Sequence, residues 1–379
     1  MKHNWQIKKL GEVCEVLDKR RKPITKRHRA SGEYPYYGAT GILDYVSGFI
    51  FDEKLVLIGE DGAKWGSGDW TAFIAEGEYW VNNHAHVIRP NRDLILDTWI
   101  AYFFYFNDIT KYTSGLTVPK LNQESLRNIE IPLPPLAEQK RIVKILDEAF
   151  EKIEKAKANT EKNLQNSREL FETCLDEILC DPKFEIKQLG EVCRKVEYGT
   201  SAKSKQKGSV AVLRMGNLQK GHINWDKLVY TDDAAEIKKY LLKYDDVLFN
   251  RTNSLELVGK TAIYKGEYPA IFAGYLIRIH RDEELLDANY LNYFLNSSVA
   301  MCYGRTVVTS SVHQANINGE KLKSYPIPLP SLSEQKAIVK KLDALAGETK
   351  KLEEIYTKKL ASLEELKKSI LQQAFAGEL

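Results

Sequence analysis

Apolar positions recur along this chain in two rhythms. From Ile142 onward, apolar or small residues fall at Leu146, Ala149, Ile153 and Ala156, and resume at Leu170 and Cys174. A second stretch repeats the spacing at Ile338, Leu342, Leu345, Leu352, Leu363, Leu366 and Ile370. Steps of four and three with Glu and Lys dense between them predict long helices that pack as a coiled coil. Ser331 and Glu334 form a capping-box pair at the second start, and Pro135 holds the corresponding place in the first. Each helix is expected to run about 40 residues, on the order of 60 Å at 1.5 Å per residue. Neither stripe is complete: Thr160, Asn163 and Ser167 weaken the first, Thr349 and Lys359 the second. Helices of this length are marginal alone in water, so they are expected to pack on each other and leave surface for partners.

Between these stretches the rhythm is shorter. KLVLIGEDG and WVNNHAHVIRP within 34–130 read as strands, as do VAVLRMGNLQ and DDVLFNRTN within 194–326. DTWIAYFFYFND and ANYLNYFLNSS read as buried helices. The fold class that follows is α+β.

Two internal matches organise the whole. IKKLGEVC at Ile7 to Cys14 recurs as IKQLGEVC at Ile186 to Cys193. IPLPPLAEQKRIVKILD at Ile131 to Asp147 recurs as IPLPSLSEQKAIVKKLD at Ile327 to Asp343, identical at 13 of 17 positions. The offsets, 179 and 196, make the second globular segment 17 residues longer. Helix one leaves the first domain and arrives at the second; if helix two repeats that relation, it returns. The expected arrangement is two globular domains, 1–134 and 182–330, separated by helices at 135–181 and 331–379 packed antiparallel. The expected layout is circular with approximate two-fold symmetry. Matched frames with diverged interiors suggest one scaffold reading two targets.

Composition adds the compartment. No run of eighteen apolar residues occurs, and MKHNWQIKKLGEV lacks a signal-peptide core, so the cytoplasm and no membrane are expected. The five cysteines show no CxxC pair and are read as reduced, half-buried thiols. Net charge is only +3, yet seven of the eleven residues from Lys19 to Arg29 are basic. Such a run is either a solvated face or a phosphate contact.

These residues together resemble the specificity subunit of type I restriction–modification systems. The resemblance rests on the paired LGEVC starts, the paired IPLP-x-L-x-EQ-K-x-IV-K motifs and the terminal LQQAFAGEL, and covers essentially the whole chain. YPYYGATGILDYV, IGEDG, VLRMGNLQKG and DDVLFNRTNSLELVGKTAIY support it. The family implies two target recognition domains, each reading half of a split double-stranded DNA site, held apart by the helices. It implies two modification (methyltransferase) subunits docked around the helices, and restriction subunits joining that core. AdoMet, ATP and Mg would belong to those partners and none to this chain.

Candidate chemistry is sparse. PPLAE lacks the leading Asn or Asp of a base-holding NPPY motif, and no GxGxxG follows a strand. GEDGAKWGSGD lacks the P-loop ending and reads as a turn or a loop near DNA. Glu60, Asp61 and Lys64 are similar to a nuclease carboxylate–lysine set without its strand-borne Asp. His84 and His86, two apart on one expected strand, should share a face; metal binding would need a third ligand the sequence does not offer, leaving DNA contact or structural hydrogen bonding. Sequence reading needs Arg or Lys for guanine and Asn or Gln for adenine, with other basic groups on phosphates. The candidates in the first half are Arg20, Arg21, Lys26, Arg27, Arg29, Lys111, Thr113, Ser114 and Lys120. In the second half they are Lys203, Lys205, Lys207, Arg214, Asn217, Arg251, Asn253 and Arg305. Two other readings stand beside this one: a self-sufficient methyltransferase or nuclease, which the missing motifs disfavour, and a coiled-coil adaptor, which the basic loops disfavour.

Overall fold

The computed structural model describes residues 5–115, 119–311 and 314–379. The chain divides into two compact units, Met1–Glu161 with Thr357–Leu379, and Lys162–Tyr356. Among the described residues no helix is long and apolar enough to cross a membrane.

In the first unit, two four-stranded sheets form from short, mostly buried strands. One runs Cys14–Val16, Ala85–Pro90, Leu55–Gly59, Ala72–Ala75, and the other Gly41–Val46, Ser31–Gly38, Glu78–Val81, Phe51–Asp52. Helix Asp97–Phe106 carries the aromatic run and is buried over nearly its whole length. Its Trp99 and Phe103 meet Phe375 at the end of the second long helix, Leu332–Ala376. The first long helix, Leu136–Leu179, adds Ile142, Leu146, Phe150 and Ile153 to the same core.

The second unit holds a six-stranded sheet in the order Cys193–Tyr198, Leu276–Arg281, Val247–Asn250, Thr261–Ile263, Gly221–Ile223, Leu218–Gln219. Two three-stranded sheets flank it. Helix Ala288–Leu295 is buried against Leu175, Leu179, Ile338 and Leu342 of the long helices. Asp287 caps it, accepting from the Asn289 and Tyr290 amides.

The duplicated motifs turn out to be the joints of this frame. Ile7 of the LGEVC lead pairs antiparallel with Pro132, and Lys187 with Ile327. The Leu10 amide donates to Ile129 O and the Leu189 amide to Tyr325 O, both at 2.8 Å. Gly11 and Gly190 sit in tight approaches, where an added Cβ would lie 3.0 Å from Arg127 Cβ or 3.1 Å from Lys323 Cβ. Gln139 and Gln335 are fully buried clamps. Gln139 Oε1 accepts from the Leu96 amide and its Nε2 donates to Leu94 O and Pro134 O. Gln335 does the same with the Asp287 amide, Leu285 O and Pro330 O. Tyr102 donates to Asp147 and Tyr293 to Asp343, completing each joint.

The long helices run antiparallel within each unit. In the first, Lys157 pairs with Glu364 at 2.7 Å and Lys367 with Glu154 at 3.0 Å; in the second, Arg168 pairs with Glu353 at 2.8 Å. The Ser331–Glu334 capping box is present. The seam differs from its expected membership. Leu170, Leu352 and Leu366 are exposed, and so are Asn163 and Lys359. Thr160 and Ser167 are buried instead, their hydroxyls turned back onto Ala156 O and Leu164 O, which satisfies them without a partner helix. Lys367 is buried too, its ammonium over Tyr105 and Phe150 while it reaches Glu154. The stripe there runs one position later than the 4-3 spacing predicts, because the long amphipathic Lys367 side chain fills the place expected for Leu366.

Candidate nucleic-acid interface

Strand register places one set of connections of the first unit together. Asp18 follows the end of Cys14–Val16, Glu60 follows Leu55–Gly59, and His86 lies at the start of Ala85–Pro90; the antiparallel pairings Val16 with Ile88 and Gly59 with Ala85 bring all three to one edge. The basic segment Lys19–Arg29, the loop 60–71 and the turn 82–84 leave from this edge. The Gly38–Gly41 hairpin turn joins them, since Gly59 closely approaches Ala39 O.

Beneath these loops lies a charged cluster. His86 is fully buried; Nδ1 meets Asp18 Oδ2 at 2.6 Å and Nε2 meets Leu121 O at 2.7 Å. Asp18 also accepts from the Val87 amide at 2.9 Å and from Gln123 Nε2 at 3.1 Å. Arg21 spans Asp18 and Glu60 and donates to Ala85 O at 2.8 Å. Lys120 reaches Glu60 at 2.9 Å, and the Leu121 amide donates to Glu60 O. Burial raises the Asp18 and Glu60 carboxyls, yet both lie below the usual carboxylate range. For Asp18 the hydrogen bonds from His86 and Val87 and the Arg21 charge outweigh burial; for Glu60, Lys120 and Arg21 do.

This arrangement corrects two expectations. His84 and His86 do not share a face: His84 stands in the turn before the strand, exposed and bonded to Asp61, whereas His86 is buried. A third metal-type ligand does exist, because Asp18, Glu60 and His86 bring ligand atoms within 4.8 Å of one another. Arg21 and Lys120 already supply the cationic charge there, so the donor set fits an ion network and not a metal. The same pairing engages Glu60, and His84 bonds to Asp61, so both carboxylates of the nuclease-like set already have partners.

Of the candidate DNA contacts, Arg21 is drawn inside and Lys120 is held at the cluster's rim. Arg20 pairs with Glu53 and stacks over Phe51; Arg29 pairs with Asp44 over Tyr36. Lys26 and Arg27 form an exposed turn. Lys111 is exposed and lies along a cleft of about 480 Å³; Thr113 hydroxyl donates to Thr110 O. Ser114 and Lys120 exchange both backbone bonds; residues 116–118 between them lie outside the described residues. Ile42, Leu43 and Tyr45 are exposed, and the Arg29–Asp44 pair ties their strand to this basic segment; nothing in the sequence marked them beyond their place in YPYYGATGILDYV.

In the second unit, Tyr198, Asn250 and Leu276 end three neighbouring strands on one edge. Lys203, Lys205 and Lys207 leave from there on an exposed segment. Arg214 follows strand Val210–Leu213, where the Ala273 amide donates to Leu213 O. Arg251 lies over Tyr198 and donates to Gly274 O, and Asn253 accepts from the Ser254 amide. Arg305 sits on helix Ser298–Val307, near enough to Glu256 to lower its carboxyl alongside nearer hydrogen bonds. Asn217 is buried and wholly engaged: its oxygen accepts from the Arg214 amide, and its amide donates to Asn224 O and Asp226 O. It shapes its own loop.

A duplicated α+β frame presenting basic loops from one edge of each unit defines a two-module nucleic-acid reader. The family model for the type I restriction modification DNA specificity domain matches residues 2–163 and 182–363. The chain belongs to this family of type I restriction–modification specificity subunits. It is 28% identical over 315 residues to the EcoKI specificity subunit of Escherichia coli, covering 77% of this chain and 68% of that one. A Haemophilus influenzae protein provisionally named a type I restriction enzyme specificity subunit is 28% identical, covering 89% and 86%. The fold matches that of the HsdS subunit from Thermoanaerobacter tengcongensis with a TM-score of 0.62, at 19% identity and covering 100% and 98%. A chain from a study of type I system assembly and conformational transition matches at 0.76, with 21% identity, covering 99% and 98%.

Proposed function

We propose that this chain reads DNA and catalyses nothing itself, with each unit's loop edge contacting one half of a bipartite target. The convergence of exposed basic loops on one edge of each unit, over carboxylates already neutralised from within, carries this reading. Lys26, Arg27, Lys111 and Ser114 serve the first half-site; Lys203, Lys205, Lys207, Arg214, Arg251 and Asn253 serve the second, with Arg305 beside them. Segments 1–134 and 182–330 are the exchangeable recognition domains.

Methyl transfer and cleavage fall to partner subunits, which bring AdoMet, ATP and Mg. Exposed Leu170, Leu352 and Ile355 on the helices of the second unit, and Leu366 in the first, are apolar surface suited to two modification subunits, with restriction subunits joining them. Such a complex works in the cytoplasm. Exchanging residues 15–130 for those of a relative, followed by single-molecule methylome mapping, should change one half of the target only. Changes in both halves would overturn the modular reading. Methyl transfer by the purified chain alone would overturn the non-catalytic one.

The helices set the gap between half-sites. Insertions matched by sequence alone would fall after Lys157 and Glu353, but Glu353 faces Arg168 and Lys157 faces Glu364, so a matched one-turn insertion belongs after Lys157 and after Leu363. Four residues add roughly 6 Å, or one to two base pairs at about 3.4 Å each. Undiminished preference for the original gap would show that the helices are not the ruler.

A further inference from the structure

We infer that His86 is a positioning residue for recognition of the first half-site, acting from beneath the loops without touching DNA. The inference rests on the reading of the loop edge as the DNA face.

Four chain segments distant in sequence meet at this one ring. Nδ1 holds Asp18, which opens the basic segment; Nε2 holds Leu121 O, next to the backbone bridge between Lys120 and Ser114. Glu60 opens the third loop and stands 3.7 Å from Nδ1, and His86 itself follows the turn 82–84. The two ring nitrogens meet oxygens on opposite sides, so the ring spans and fixes the separation of two segments that carry candidate DNA contacts. An apolar residue of equal size could fill the space and could not set that separation. Stability is a poor explanation for the cluster, because buried ion networks often gain nothing over packed apolar residues of similar volume. Geometry is the better one: base readout needs side chains placed to within a fraction of an ångström. Arg21 and Lys120, tied to Glu60, hold the segments that expose Lys26, Arg27 and Ser114.

The experiment uses the full chain co-expressed with its modification subunits. Methylome mapping gives base preference at each position of both half-sites, and thermal unfolding of the purified complex is measured alongside. His86→Gln, whose donors sit on a single nitrogen and cannot reach Asp18 and Leu121 O on opposite sides at once, should lower discrimination at one or more positions of the first half-site at least tenfold. The second half-site should be unchanged. Gln123→Leu, which removes one part-buried donor to Asp18, should do the same more weakly and keeps the test readable if H86Q fails to assemble. A lower melting temperature with intact preference in these variants would overturn the inference. The paired variant Lys26→Ala with Arg27→Ala separates the two levels. If it leaves first-half-site binding unchanged, the DNA face itself is misassigned; if it weakens binding while H86Q and Q123L preserve preference, only the role of His86 falls.

Discussion

The two units place an acidic residue four positions after the duplicated cysteine and face it with a base on the returning strand, but they resolve the pair differently. In the first unit Asp18 meets His86, and the charge spreads to Arg21, Glu60 and Lys120 at the loop edge. In the second, Glu197 meets Arg278, which is buried over Phe272 and also reaches Asp246 and Leu241 O. His280 adds to Glu197 at 2.9 Å. The first network ties loops together; the second ties strand Leu276–Arg281 to the loop 241–246. The joints built by Gln139 and Gln335 show no such divergence. Positions that hold helix to domain stay fixed, and positions that shape the presented loops are free to change.

The comparison breaks hardest at Arg278. Arg278→Met should remove the buried guanidinium that bridges half-buried Glu197 and Asp246, leaving Glu197 only His280 and Lys195, and cost the second unit about 3 kcal/mol. His86→Leu should cost the first less, since Arg21 and Lys120 still balance Asp18 and Glu60. Denaturant unfolding of both variants checks the order, and a larger loss for His86→Leu would refute it.

The clamps should behave alike. Gln139→Leu and Gln335→Leu each strand a backbone amide and two carbonyls, at a cost on the order of 3 kcal/mol apiece. Losses differing by more than about twofold would show that the joints are not equivalent.

Acid sharpens the contrast next. Burial raises the Glu197 carboxyl, but Arg278 and His280 hold it down, at about 2 against an ordinary value of 4.5. A depressed folded-state value means that this stabilisation is complete above about pH 4.5 and is lost as pH falls towards 2. Stability of the wild-type chain should therefore decline across that window. Arg278→Met should flatten the decline, and an unchanged slope would assign it to other carboxylates.

The smallest effect concerns the matched cysteines. Burial pushes the Cys14 and Cys193 thiols up to about 12, so both should resist alkylation near pH 8. Exposed Cys180 and Cys302 should react first, as mass spectrometry of the labelled chain would show.

Much of this was legible in one dimension. The duplicated motifs, the two long helices, the capping box at Ser331 and the buried aromatic helix after Asp97 each rest on contacts between residues close in sequence, or on a pattern printed twice. The basic segment Lys19–Arg29 announced itself by composition. What each clamp holds was not legible: Gln139 reads as an ordinary polar residue on a charged helix until Leu94 and Leu96, more than forty residues away, come beside it. The phase of the seam failed at Leu366 and Lys367 because periodicity cannot tell which of two adjacent long side chains the neighbouring Tyr105 and Phe150 rings will accept. The charged cluster lay furthest out of reach. Asp18, Glu60, His86 and Lys120 are scattered over a hundred residues, each unremarkable alone, and only antiparallel strand register brings them to one edge. Local rhythm determined the elements and their repetition; long-range pairing decided which charges are paired inside and which remain exposed.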